Sequence, residues 1–355
     1  MLTFRVIRCA MLTVAFATAW PGAALSAGAV VGWGYNSDGQ ATPPVSVDGT
    51  AGTAAAISTG GIFSCAIRAG TGNVICWGNN DYGQTKAPLS VNGTEGTAKA
   101  ISAGAYHSCA IQTGTTIVVC WGYAGNGQVT PPSSLKGTAI AAGGYHSCAI
   151  QAGTGNVICW GYAGDGQATP PPSVNGATGT AKAISSGLDH SCAIQALAWN
   201  VVCWGRNDDG QAIPPPAVNG IAGTAVAITA GSSHSCAIQT GTGKVFCWGN
   251  NDYGQATPPQ SVNGTTGTAS AISAGGFHSC AIQTNTGKVT CWGYAGDGQA
   301  TPPPSVNGTD GTATAIAAGG GHTLAIAAAP EPAAALVSAT SLGALLVLAR
   351  RRRLG

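Results

Sequence analysis

Few residue types in this 355-residue chain could do chemistry, and nearly all of them recur. Beyond Cys9, twelve cysteines form six pairs: Cys65/Cys76, Cys109/Cys120, Cys148/Cys159, Cys192/Cys203, Cys236/Cys247 and Cys280/Cys291. Ten residues lie between the partners every time. An even gap folded as a hairpin sets the two cysteines directly opposite, at a Cα separation of about 4.5–5.5 Å that a disulfide accepts. Each pair has a rival chemistry. His146, Cys148 and Cys159 share one strand face, giving three possible zinc ligands. Structural zinc wants four ligands, usually with C-x2-4-C spacing, and Phe63 stands where the first complete unit should have its histidine. The expected chemistry is therefore oxidation, with no metal and no cofactor. All six histidines (His107, His146, His190, His234, His278 and His322) hold this one repeat position. They read as packing and hydrogen-bonding groups of the unit, not catalysts.

Other candidates dissolve in the same way. The stretch WGNNDYGQ, Trp77 to Gln84, has the Asn, Asp and Gly of a calcium loop but lacks its full register and distant Glu. It reads as a polar turn. N-G-T triplets at Asn92, Asn263 and Asn307 fit glycosylation sequons, although Asn-Gly is first a turn dipeptide. No H-E-x-x-H, G-x-S-x-G or nucleophile–base–orienter set occurs, so the expectation is a non-enzyme.

The elements that position these residues follow from the repeat. Trp-Gly recurs at Trp33, Trp77, Trp121, Trp160, Trp204, Trp248 and Trp292, at steps of 44 residues with one of 39. A period of roughly 40–50 residues marks a propeller or solenoid. Within one unit the expected strands are Ala139–Ala142, Ser147–Gln151 and Val157–Trp160, with a fourth near Gln167–Thr169. The expected hairpin turn is a type II′ turn at Gly153-Thr154, whose twist suits the flanking strands. The first Trp-Gly segment has no hairpin before it, and the last A-I-x-A-G-G-G-H segment has no Trp-Gly after it. Both lack the cysteine. Two complementary halves predict one blade shared by the chain ends, closing a ring without edge strands.

Charged residues make up 7% of the chain, against roughly 25% in ordinary globular proteins. Without Arg5, Arg8, Arg350–Arg353 and Glu331, eight basic residues face eleven acidic ones, a net of −3. Nucleic-acid binding needs basic patches that displace counterions from phosphates, and none is expected here. Residues 1–27 read as a secretory signal peptide: Arg5 and Arg8, an apolar run, then ALSA for cleavage. Export suits oxidised cysteines. At the other end, Pro330-Glu331-Pro332 precedes 17 uncharged residues and Arg350, Arg351, Arg352 and Arg353.

That order resembles the PEP-CTERM sorting signal of exported bacterial proteins. The resemblance implies transient insertion of the tail in the inner membrane, processing by an exosortase-type protease, and delivery to the cell surface or extracellular matrix. The body, A-G-x-x-H-S-C-A-I…G-x-V-x-C-W-G-x4-G-Q, resembles the regulator of chromosome condensation repeat in its Cys-bearing bacterial form. This implies an all-β, seven-bladed β-propeller over residues 28–329. The G-Q-A-T-P-P link departs from the common G-Q-L-G. Among exported relatives, the β-lactamase inhibitory protein II family binds an enzyme with one propeller face. The expected function is an exported, monomeric protein- or polysaccharide-binding or matrix module. An inhibitor of an extracellular enzyme is the alternative, and an enzyme with a site on the propeller face a second. Three breaks in the repeat are candidate contacts: Trp199 at a hairpin tip, Asp189 of the Leu188-Asp189 that replaces the Gly-Tyr pair, and Arg206 after Trp204-Gly205.

Overall fold

The computed structural model describes residues 27–329. The leader expected at 1–27, apart from Ala27, and the sorting segment at 330–355 lie outside the described residues. Among those described, the secondary structure is β throughout: seven three-stranded antiparallel sheets. Six are consecutive in sequence, at 54–78 (blade 1), 98–122 (blade 2), 137–161 (blade 3), 181–205 (blade 4), 225–249 (blade 5) and 269–293 (blade 6). The seventh is shared: Val30–Gly34 pairs with His322–Ala327, which pairs with Ala313–Ala318. The two half-units meet as expected. Pairing of the chain's own ends completes this blade, so that its middle strand is not left as an open edge.

Each blade runs from an inner strand on the central channel, through a middle strand, to an outer strand. The middle strand, HSCAIQ in five blades, is buried over five of its six residues. Between its histidine and glutamine it is apolar or small because it packs against a neighbouring blade on both faces. Cores lie between blades: Ile101, Ala103 and Trp121 of blade 2 close on Phe63, Cys65, Ile67 and Val74 of blade 1. Every inner strand carries a β-bulge after its first residue, for example between Ala181 and Ala183. Bulges twist a strand and re-aim one side chain, and here that residue is Lys99 in blade 2 and Lys182 in blade 4.

Two local expectations fail. Gln167–Thr169 is a turn, not a fourth strand. Its Gln167 side chain folds back to accept from the Asp165 N–H at 2.9 Å, so the segment cannot extend along the sheet. The outer strand is covered instead by the proline-rich link, whose buried Val174 accepts from the Val157 N–H at 2.9 Å. Nor is the hairpin tip a two-residue type II′ turn. Gly155 N–H donates to Gln151 O, and both Gly153 and Gly155 have positive φ, giving a four-residue loop. The centre of the hairpin is unchanged, so Cys148 still faces Cys159.

The hairpins are also pinched more tightly at their cysteines than open strand pairing implies. Disulfides join Cys65 to Cys76, Cys109 to Cys120, Cys148 to Cys159, Cys192 to Cys203, Cys236 to Cys247 and Cys280 to Cys291, with Cα separations of 4.0 Å in all six. The expected 4.5–5.5 Å belongs to strands held apart by ordinary side chains; a direct bridge between opposed residues draws the two backbones together. The partners also differ in environment. Cys65, Cys109, Cys148, Cys192, Cys236 and Cys280, on the middle strands, are fully buried. Cys76, Cys120, Cys159, Cys203, Cys247 and Cys291, on the outer strands, are only half-buried.

Candidate binding faces

The repeated polar residues are consumed in joining blades. Each Trp Nε1–H donates to the backbone carbonyl of the Gln in the preceding blade's W-G-x4-G-Q turn, as Trp121 does to Gln84 at 2.8 Å. The same carbonyl accepts from the middle-strand hydroxyl, here Ser108 at 3.1 Å. The middle-strand histidine reaches one blade further on: His107 Nε2 to Ser147 Oγ, His146 to Ser191 and His190 to Ser235, each at 2.8 Å. His322 bonds Ser64, also at 2.8 Å, and so carries the chain of contacts across the ring closure. Because the hydroxyl proton already goes to the Gln carbonyl, the serine oxygen accepts and His Nε2 carries the proton. Nδ1 is left buried without a partner in all six. Burial therefore holds these imidazoles neutral, with pKa pushed down to about 4 in His107 and about 3 in His146, where neighbouring histidines add to the effect. Phe63 leaves the circle one bond short.

The six disulfides fit an oxidising, extracellular setting. With Cys148 and Cys159 bonded to each other and His146 Nε2 on Ser191, the His–Cys–Cys trio is not a ligand set. The three sequon asparagines serve as turn caps; Asn263 Nδ2 donates to Pro258 O at 3.3 Å while its Oδ1 accepts from Thr265 N–H.

Strand direction then sorts the remaining side chains onto two faces. Inner-to-middle turns and outer-strand ends lie on one face, shown by Tyr123 N–H bonding Tyr106 O and Arg206 N–H bonding Asp189 O. This face carries Asp38, Asp81, Asp165, Asp189, Asp208, Asp209, Asp252 and Asp297 against Lys86 and Arg206, a net of −6. Hairpin tips and inner-strand starts lie on the other face, with Arg68, Lys99, Lys136, Lys182, Lys244 and Lys288 against Asp48, Glu95 and Asp310, a net of +3. The molecule is electrically two-sided.

The acidic face also holds two aromatic clusters. Tyr82, Tyr106, Tyr123 and Tyr145, from three successive blades, form a contiguous strip, with centroids 5.0 Å apart for Tyr82–Tyr123 and 6.0 Å for Tyr123–Tyr145. Tyr253, Phe277 and Tyr294 form a second cluster. Asp189 adjoins the first one. Its carboxyl is held above the usual range by partial burial and the Asp165 charge, and it helps to raise the Tyr145 phenol, whose shift comes first from burial and then from Tyr106. Arg206 is paired with Asp208 at 2.7 Å and feels Asp189 and Asp165 beyond it.

Of the three candidate contacts, the structure thus brings together Asp189 and Arg206. Trp199 sits on the opposite face, in the hairpin tip of blade 4, with its ring against the Lys182 ammonium. Sequence reasoning also missed the tyrosine strip and Ile221. The tyrosines were hidden because they belong to the repeat, Tyr82 in N-D-Y-G-Q, Tyr106 and Tyr145 in Y-H-S-C, and Tyr123 in W-G-Y-A-G. Ile221 was legible as the one large apolar residue in the N-G-T series.

Comparison with known proteins agrees with this architecture. Residues 54–84, 138–167, 225–255 and 269–299 match the family described as "Regulator of chromosome condensation (RCC1) repeat". Among solved structures, the ectodomain of the Physcomitrella patens receptor kinase CR4 is 26% identical, with a TM-score of 0.59, over 74% of this chain and 67% of that one. Saccharomyces cerevisiae Prp20p, whose structure was described with its binding to Gsp1p and histones, is 18% identical at a TM-score of 0.66, over 89% of this chain and 93% of its own. Human WBSCR16 is 16% identical at a TM-score of 0.65, covering 85% and 99%. No curated protein matches the chain. The fold is a seven-bladed β-propeller closed by its own termini. The matched segments, in blades 1, 3, 5 and 6, are RCC1 repeats, and the remaining blades repeat the same three-stranded architecture.

Proposed function

We propose that this protein is an exported, surface-delivered, non-enzymatic binding module whose docking surface is the acidic, aromatic face. The observation that carries this is the strip from Tyr82 through Tyr106, Tyr123 and Tyr145 to Asp189 and Arg206. Tyrosine supplies large contact area with few rotamers to freeze, and Arg is enriched where binding energy concentrates. The carboxylates around the strip favour a cationic protein partner over an acidic polysaccharide. Prp20p, a propeller of the same fold, is described as binding proteins, and this supports the same class of role.

Capture from the secreted fraction, with wild type set against Tyr82→Ser/Tyr145→Ser, tests the reading. Retention of the same proteins by both would sink it. The inhibitor reading uses this same face and is separated by adding purified protein to extracellular enzymes; loss of turnover would select it. Export itself is checked by mass spectrometry of the mature protein. An intact Arg350–Arg353 tail there would remove the sorting-signal reading and its exosortase-type protease.

A further inference from the structure

The basic face has one corner unlike the rest. In blade 4 three positions that are small or polar elsewhere become apolar together. Leu197 stands where Gly70, Gly114, Gly153 and Gly241 do, and Trp199 where Gly72, Gly155, Gly243 and Gly287 do. Ile221 replaces the threonine of N-G-T. Leu197 is 96% exposed, Ile221 79% and Trp199 40%. Solvent would select against this, yet the backbone beneath is fixed. Trp199 O accepts from Ala225 N–H at 3.0 Å, and Ile221 N–H donates to Asn219 Oδ1 at 3.1 Å. Trp199 is held at φ 62°, a left-handed conformation that disfavours a side chain of its size. Both segments project from loops instead of lining a groove, so they form a prong, not a pocket.

Two further observations point to what the prong meets. It stands among the six cations of this face, with Lys182 against the Trp199 ring. The described chain also enters and leaves on this face: Gly28 pairs with Ala54 at an inner-strand start, and Ala328 N–H bonds Thr312 O. In sequence, Ala329 is followed within four residues by the 17 uncharged residues 333–349 and then four arginines.

We infer that the basic face rests on an anionic lipid surface, with Leu197, Trp199 and Ile221 set into its interfacial layer. Tryptophan favours the headgroup level, aliphatic side chains the acyl boundary just below, and lysines the negative surface potential. The opposite face, at −6, is repelled by the same surface. The tyrosine strip is thereby turned toward solvent and its partner. The inference rests on the basic face alone and stands whatever the acidic face binds.

The mature protein, residues 28–355 without the Trp20-bearing leader, is reconstituted into phosphatidylcholine vesicles with and without phosphatidylglycerol, both carrying acyl-chain-brominated lipid. Tryptophan quenching is compared between wild type and Trp199→Gly, which installs the repeat's own residue and should fold. A quenched component is expected in the phosphatidylglycerol vesicles, reduced by high salt and lost in Trp199→Gly. Leu197→Gly/Ile221→Thr keeps the fluorophore and should weaken the same component. Segment 333–349 contains no tryptophan, so its own insertion cannot supply the signal. Equal quenching in wild type and Trp199→Gly would overturn the inference, as would quenching indifferent to phosphatidylglycerol and salt.

Discussion

The buried histidines set the pH behaviour of the molecule. Each has a folded-state pKa of about 3 or 4, well below the unfolded value near 6.5. Above pH ~6.5 the imidazole is neutral in both states and folding carries no penalty. As pH falls from about 6.5 toward 4, the unfolded chain binds protons that the folded one refuses. Each histidine can then remove up to about 1.4 kcal/mol of stability per pH unit. The expected outcome is a midpoint in urea that is flat from pH 7 to 8 and drops steeply below pH ~6. His190→Phe, which copies the Phe63 of blade 1, should make the drop shallower by about one proton. A flat profile down to pH 4 would contradict this account. At the same position in blade 1, Phe63→His would supply the missing bond to Ser108 and steepen the acid drop.

At the scale of the element, the hairpin between middle and outer strands carries both the disulfide and, in blade 4, the left-handed Trp199. The bridge closes a small loop, so removing one pair, as in Cys148→Ala/Cys159→Ala, should cost about 2–3 kcal/mol by the chain-entropy estimate. Calorimetry of the purified variant against wild type reads that loss. Trp199→Gly should act the other way and raise stability by about 1 kcal/mol, because a left-handed non-glycine residue is relieved. The register of this hairpin was legible in the sequence, since an even gap between cysteines fixes which residues face each other. The loop was not. Gly153-Thr154 suggested the tightest turn, but Gly155 also takes a positive φ, and its N–H reaches back to Gln151. The fourth strand near Gln167 failed for a related reason. A glutamine that caps its own turn and gives its carbonyl to Trp204 and Ser191 cannot also extend along a sheet edge.

For the whole molecule, closure is the decisive feature. Val30–Gly34 is the only described strand that completes the shared blade, and it also places Trp33 Nε1 on Gln299 O at 2.9 Å. A chain lacking residues 27–34 is expected to expose the Ile326 strand edge and associate through it. Size-exclusion chromatography should show dimers or larger species where the full ring is expected to run as a monomer. The separation of charge is a property of this scale too, because no segment of the propeller sequence is itself strongly polarised.

The sequence by itself determined the number of blades, the pairing of cysteines and the role of the repeated histidines. Periodicity and parity are one-dimensional, and local backbone geometry translates them directly into sheets. Only the tertiary structure decided which residues share a surface. Asp189 and Trp199 are ten residues apart and both break the repeat, yet one intervening six-residue strand carries them to opposite faces. Tyr82 and Tyr145 are 63 residues apart in the sequence, but both help to form a continuous strip because successive blades present equivalent turns side by side. Contacts between blades depend on how the ring closes, and that follows from packing at every interface together instead of from any single stretch of chain.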